Sequence, residues 1–141
     1  MKIVVIDGQG GRIGALVCEE LKRALPDREI LAIGTNSAAT AAMLKAGADR
    51  GATGENPVIV AARSADLIIG PLGILAADSL LGEVTPAMAT AVGQSRAEKL
   101  LLPVNRCEMQ VVGARPLPIP ELLSELISLV LSFVKGREAR C

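Results

Sequence analysis

Short, almost wholly apolar runs alternate along this chain with stretches in which apolar residues recur every three or four positions. The runs at 3–6, 30–33, 67–69, 100–102 and 109–112 predict strands, each ending in residues rich in Gly, Pro, Asn or Thr. Strands apolar on both faces belong to a parallel sheet covered by helices on both sides. The first helix carries Ile13, Leu16, Val17, Leu21 and Leu25 in one stripe, with Pro26 closing it. A second, Ala-rich helix over 37–46 is capped by Asn36 or Ser37 and meets Gly47, where a left-handed residue is expected. Residues 47–54 read as a loop or a short edge strand. Asn56-Pro57 and Thr85-Pro86 open two further helices, the latter to about Ser95, and Pro120 opens the last, which fades at Gly136. The pattern predicts one domain over residues 1–141, a three-layer, Rossmann-like α/β fold with a mostly parallel sheet of about five or six strands and helices on both faces.

In the last helix Glu121, Glu125, Ser128 and Ser132 form one narrow polar stripe and the remaining surface is apolar. A chain this short has few elements to cover it, so the segment over about 120–134 is expected at a subunit interface, most simply of a homodimer. The alternative is a helix lying between two layers of one chain.

Half of the 141 residues are hydrophobic and only Phe133 is aromatic, so the core is aliphatic. With zero net charge and no Trp or Tyr, the chain has neither the basic groove nor the stacking surfaces of a nucleic-acid binder. The apolar segment at 122–134 is interrupted and falls short of the roughly 20 residues of a membrane span. No signal-peptide pattern opens the sequence, which points to the cytoplasm. Cys18, Cys107 and Cys141, with no histidine, make neither a zinc site nor a disulfide framework, so no metal is expected.

The candidate chemistry lies behind the first strand, where Asp7 precedes Gly8-Gln9-Gly10-Gly11-Arg12-Ile13-Gly14. A strand, a glycine turn and a helix N-terminus leave unpaired N–H groups facing one point, which suits a pyrophosphate; the bland alternative is that a short βα turn needs glycine anyway. The loops Gly34-Thr35-Asn36, Gly70-Pro71 and Asn105-Arg106 should open on the same rim and complete a cofactor site. The second strand ends without the Asp or Glu that would hold ribose hydroxyls, so Arg12 is expected to pair with a 2′-phosphate beside Thr35 and Asn36, favouring NADP. Asp7 either ties the loop through backbone N–H groups or bridges a cation or acts in catalysis. Catalytic residues are not apparent: His and Tyr are absent, Cys107 beside Arg106 is a lone candidate thiolate, and Asp78 and Glu83 are candidate bases or solvated surface carboxylates.

The spacing Gly8-x-x-Gly11-x-x-Gly14 resembles that of extended short-chain dehydrogenases and dihydrodipicolinate reductase, in the first βα unit alone. Across nearly the whole chain, Ile6-Asp7-Gly8-Gln9-Gly10-Gly11, Gly34-Thr35-Asn36, 51–56, Gly70-Pro71, Gly82-Glu83-Val84-Thr85-Pro86 and Asn105-Arg106-Cys107 resemble a small bacterial family known only as a domain of unknown function. That resemblance implies a compact Rossmann-like protein and no activity. The expectation is therefore a nucleotide- or dinucleotide-binding protein, either a small oxidoreductase or a non-enzymatic, nucleotide-responsive sensor or accessory subunit.

Overall fold

The computed structural model describes residues 1–104 and 108–140. Its strands are β1 Ile3–Asp7, β2 Ile30–Gly34, β3 Arg50–Thr53, β4 Leu67–Pro71 and β5 Glu98–Leu102; its helices are α1 Arg12–Ala24, α2 Ser37–Lys45, α3 Glu55–Ser64, α4 Pro86–Gln94 and α5 Ile119–Glu138. The sheet has five strands in the order β3-β2-β1-β4-β5, all pairings parallel. This is the strand order of a Rossmann-like sheet, with its reversal between β1 and β4.

The two-residue period of β1 feeds two cores. Ile3 and Val5 pack with Val17, Leu21, Met43, Leu126 and Val130 beneath α1, α2 and α5. Val4 and Ile6 pack with Val58, Ala62, Met88 and Val92 beneath α3 and α4. Every residue of β1 and β4 is buried, as apolar runs in a doubly covered sheet require.

Local signals hold at several boundaries. Asn36 caps α2 by accepting from the Ala39 N–H at 2.9 Å, and Thr85 caps α4 by accepting from Met88 N–H at 3.1 Å. Gly47 takes φ 119° just past α2. Helix α5 runs through Gly136, because a glycine in an exposed last turn is tolerated where α5 already packs on the sheet through Leu123, Leu126, Val130 and Val134.

One expected strand needs correction. Residues 109–112 form no strand: left-handed Glu108 (φ 63°) and Gly113 (φ 88°) turn the chain at either end, and Val112 is wholly exposed. Of the two readings of 47–54 the short edge strand holds: β3 is the fifth strand and pairs on one side only, from Leu31↔Arg50 to Gly34↔Thr53. Helix α5 also buries more of itself than its composition suggested. Ile119, Leu122, Ile127 and Phe133 pack partly against the first core, leaving Leu129 and Leu131 as its large exposed apolar residues.

Candidate functional site

Asp7 ends β1 with its side chain only 2% exposed. Its Oδ1 accepts the Gly8 N–H at 2.8 Å and its Oδ2 the Gly14 N–H at 2.7 Å, so one carboxylate closes the glycine loop from inside. Burial pushes its pKa up, the two N–H bonds oppose that rise, and the nearby charge of Glu83 adds to it. Both oxygens are committed to backbone, which fits the loop-tying role among the alternatives for this residue.

Most glycines of the rim have reasons within the chain. A Cβ on Gly8 would lie 2.5 Å from Thr35 Oγ1, one on Gly14 2.6 Å from Met43 Sδ, one on Gly34 2.4 Å from Thr40 Oγ1, and one on Gly70 2.4 Å from the Ile6 carbonyl oxygen. Gly11 both turns left-handed, at φ 70°, and touches the backbone of Ala39 in α2. Gly70 and Pro71 are thus buried packing elements of β4. Gly10 alone in the loop has no such reason: nothing lies within 4 Å of its Cβ position and its φ is not left-handed.

The loop's amides divide in the same way. Gly8 and Gly14 donate to Asp7, Gly11 to the Gly8 carbonyl, and Gln9 to Glu83. The N–H groups of Gly10, Arg12 and Ile13 have no partner among the described residues, the last two because a helix's first turn has no carbonyl to offer them. They cluster at the positive end of α1.

Glu83, which the sequence offers as a candidate base or a solvated surface carboxylate, stands across from them. Glu83, in the loop after β4, accepts on one oxygen from the Gln9 N–H (2.9 Å), the Thr35 hydroxyl (2.7 Å) and the Asn36 side-chain amide (2.6 Å). It ties the loops of β1, β2 and β4 at the topological switch point. Partial burial works against its ionisation, but the bonds from Gln9, Thr35 and Asn36 outweigh this and hold its pKa low. Thr35 and Asn36, expected to contact a ligand, both donate to Glu83, and Asn36 also donates to the Gln9 carbonyl. The only local signal was the Gly82 and Thr85-Pro86 flanking Glu83, which fix a turn and a helix start without indicating where the side chain goes.

Arg12 and the Thr35-Asn36 turn are not brought together. Arg12 lines a groove with Leu16, Glu20, Ile119 and Leu123, on the α5 side of α1. Thr35 and Asn36 lead into α2, on the other flank of α1. Arg12 has no ion-pair partner among the described residues, so its charge is available beside the free amides. Asn105, Arg106 and Cys107 lie outside the described residues. Cys18 is buried under α1, its thiol pushed up to about 12 by burial and by Asp7 and Asp49, and is inert at neutral pH.

A family model described as "Domain of unknown function (DUF3842)" matches residues 2–135. The chain belongs to this family. The whole-chain resemblance carried by the glycine loop, Gly34-Thr35-Asn36 and Gly82-Glu83-Val84-Thr85-Pro86 is thereby upheld for DUF3842. No curated protein matches the sequence. Among solved structures, a dodecameric FMN-dependent UbiX-like decarboxylase from Escherichia coli O157:H7 is similar at 17% identity and a TM-score of 0.49, over 94% of this chain and 93% of that one. No helix of the described residues is long and apolar enough to cross a membrane.

Proposed function

We propose that this protein binds a phosphate-bearing nucleotide or dinucleotide at the switch point, with the phosphate on the amides of Gly10, Arg12 and Ile13. Gly10 carries the reading. It is the one glycine of its loop that no intrachain contact or backbone angle explains, and it sits among three unpartnered N–H groups at the N-terminus of α1. The Arg12 guanidinium, without an ion-pair partner among the described residues, is available to a phosphate at the same helix N-terminus. The NADP preference needed Arg12 beside Thr35 and Asn36; with those residues on opposite flanks of α1, NADPH should hold no advantage over NADH.

Thermal unfolding with NADH, NADPH, FMN and ATP tests this, since a ligand at 100 times its Kd stabilises the folded state by about 2.7 kcal/mol. At least one nucleotide should raise the midpoint of the wild type and lose that effect with Gly10→Ala, whose unliganded midpoint should match the wild type. A full panel without a shift sinks the proposal. So does a shift that Gly10→Ala leaves intact. Between an oxidoreductase and a nucleotide-responsive sensor, the engagement of both rim carboxylates in holding loops favours the sensor; steady consumption of NADH or NADPH with any substrate would reverse that.

A further inference from the structure

The loop between β4 and α4 is built unlike its neighbours on the rim. Asp78, Leu80 and Leu81 take left-handed φ of 66°, 54° and 58°, and Gly82 continues at 89°. For side-chain-bearing residues these angles are unfavourable and persist only where surrounding contacts outweigh them. Backbone bonds within 76–84, among them Asp78 N–H to the Val84 carbonyl at 2.7 Å and Val84 N–H to the Ser79 carbonyl at 3.2 Å, and three side-chain contacts do so. Buried Ser79 donates its hydroxyl to the Gly73 carbonyl, buried Leu80 lies directly over Gly8, and Glu83 takes donors from Gln9, Thr35 and Asn36. Leu81, between them, is 95% exposed and anchors nothing.

Of the three, only the Glu83 contact reaches across to other loops through hydrogen bonds, and all of it converges on one oxygen atom. The donors it occupies belong to the two loops that a ligand on the Gly10 amides would have to lie between. We propose that residues 76–84 form a strap closed over the β1 and β2 loops, latched by the Glu83 carboxylate, and that a nucleotide enters by taking over the donors Glu83 releases. The entry step rests on the nucleotide reading above; the latch does not. The charged group coupled to Glu83 is Asp7 on β1, while β2 and the start of α2 present neutral Thr35 and Asn36, and the strap itself carries Asp78.

Hydrogen exchange read by mass spectrometry on the full chain tests the latch. In Glu83→Ala, exchange over 8–11 and 76–84 should rise at least tenfold while peptides from α5 stay as in the wild type. Glu83→Gln, which keeps an acceptor oxygen, should fall between. Leu81→Gly, which relieves the left-handed bend with the carboxylate in place, should slow exchange in the strap. Unchanged exchange over 8–11 and 76–84 in Glu83→Ala, or an equal rise in α5, overturns the latch. In the same preparations Glu83→Ala should bind whichever of NADH or ATP shifts the wild type about tenfold more tightly. Unchanged affinity with a loosened strap overturns the entry step. A loosened strap in a protein that no nucleotide shifts retires the nucleotide reading and the entry step with it, and leaves the latch standing.

Discussion

The loops that follow β1 and β4 stand side by side at the switch point and solve the same turn problem by opposite means. The β1 loop turns left-handed at Gly11, against a neighbouring backbone, and at Gln9, whose N–H Glu83 accepts, and it closes on the buried Asp7 carboxylate. The β4 loop makes left-handed turns with Asp78, Leu80 and Leu81 and holds them by backbone bonds of its own, such as Asp78 N–H to the Val84 carbonyl at 2.7 Å, together with side chains reaching elsewhere. A loop closed on a buried carboxylate of its own is the more rigid of the two. One hydrogen-bonded to its neighbours through a single partly exposed carboxylate is poised to move against them, because one protonation or a competing ligand removes those bonds.

The contrast breaks most sharply at Gly11. Gly11→Ala adds both a left-handed side chain and a Cβ 2.7 Å from the Ala39 Cα, which backbone packing cannot relieve; chemical denaturation should show a loss of about 2–4 kcal/mol. Asp7→Ala strands the Gly8 and Gly14 N–H groups in the buried loop and should cost roughly 2–3 kcal/mol by the same measurement.

Acid separates the two loops by sign. The pKa of Asp7 is raised in the folded state, so its contribution is fully present in acid and is lost as pH rises through that raised value. The pKa of Glu83 is lowered, so its contribution is present above the ordinary carboxylate value and is lost as pH falls through the lowered one. Amide chemical shifts followed from neutral pH into acid should therefore change first at Gly8 and Gly14, as Asp7 protonates at its raised value, and over 76–84 only at lower pH, as Glu83 protonates; one transition shared by both loops would erase the distinction. The smallest effect has the opposite direction. Leu81→Gly removes an exposed left-handed side chain and should stabilise by about 0.5–1 kcal/mol, net of the greater freedom glycine has when unfolded.

Most of the sheet was legible because burial on both faces writes itself as an apolar run. β1, β2 and β4 fell where Ile3-Val4-Val5-Ile6, Ile30-Leu31-Ala32-Ile33 and Leu67-Ile68-Ile69 stand. Strand β3 was barely legible, since an edge strand exposed at Arg50, Gly51 and Thr53 has no apolar period to show. The segment at 109–112 misled for the converse reason: its residues suit a strand, but the turns at Glu108 and Gly113 deny it a partner. In the candidate site, the glycine loop was visible as a motif, whereas the role of each glycine was not. Whether a missing Cβ makes room for Ala39, for Leu80 or for a ligand depends on what the fold brings near.

By itself the sequence determined the layered α/β architecture, the parallel strands, the caps at Asn36 and Thr85 and the position of the glycine turn, because periodicity, capping and backbone freedom act over a few neighbouring residues. Only the tertiary structure decided that Asp7 closes that turn from within, that Arg12 faces α5 and not the start of α2, and that Glu83 reaches 74 positions back along the chain to the Gln9 amide. Those outcomes follow from strand order. Placing β4 beside β1 brings the loop carrying Glu83 against the glycine turn, and nothing in the residues around either loop encodes that adjacency.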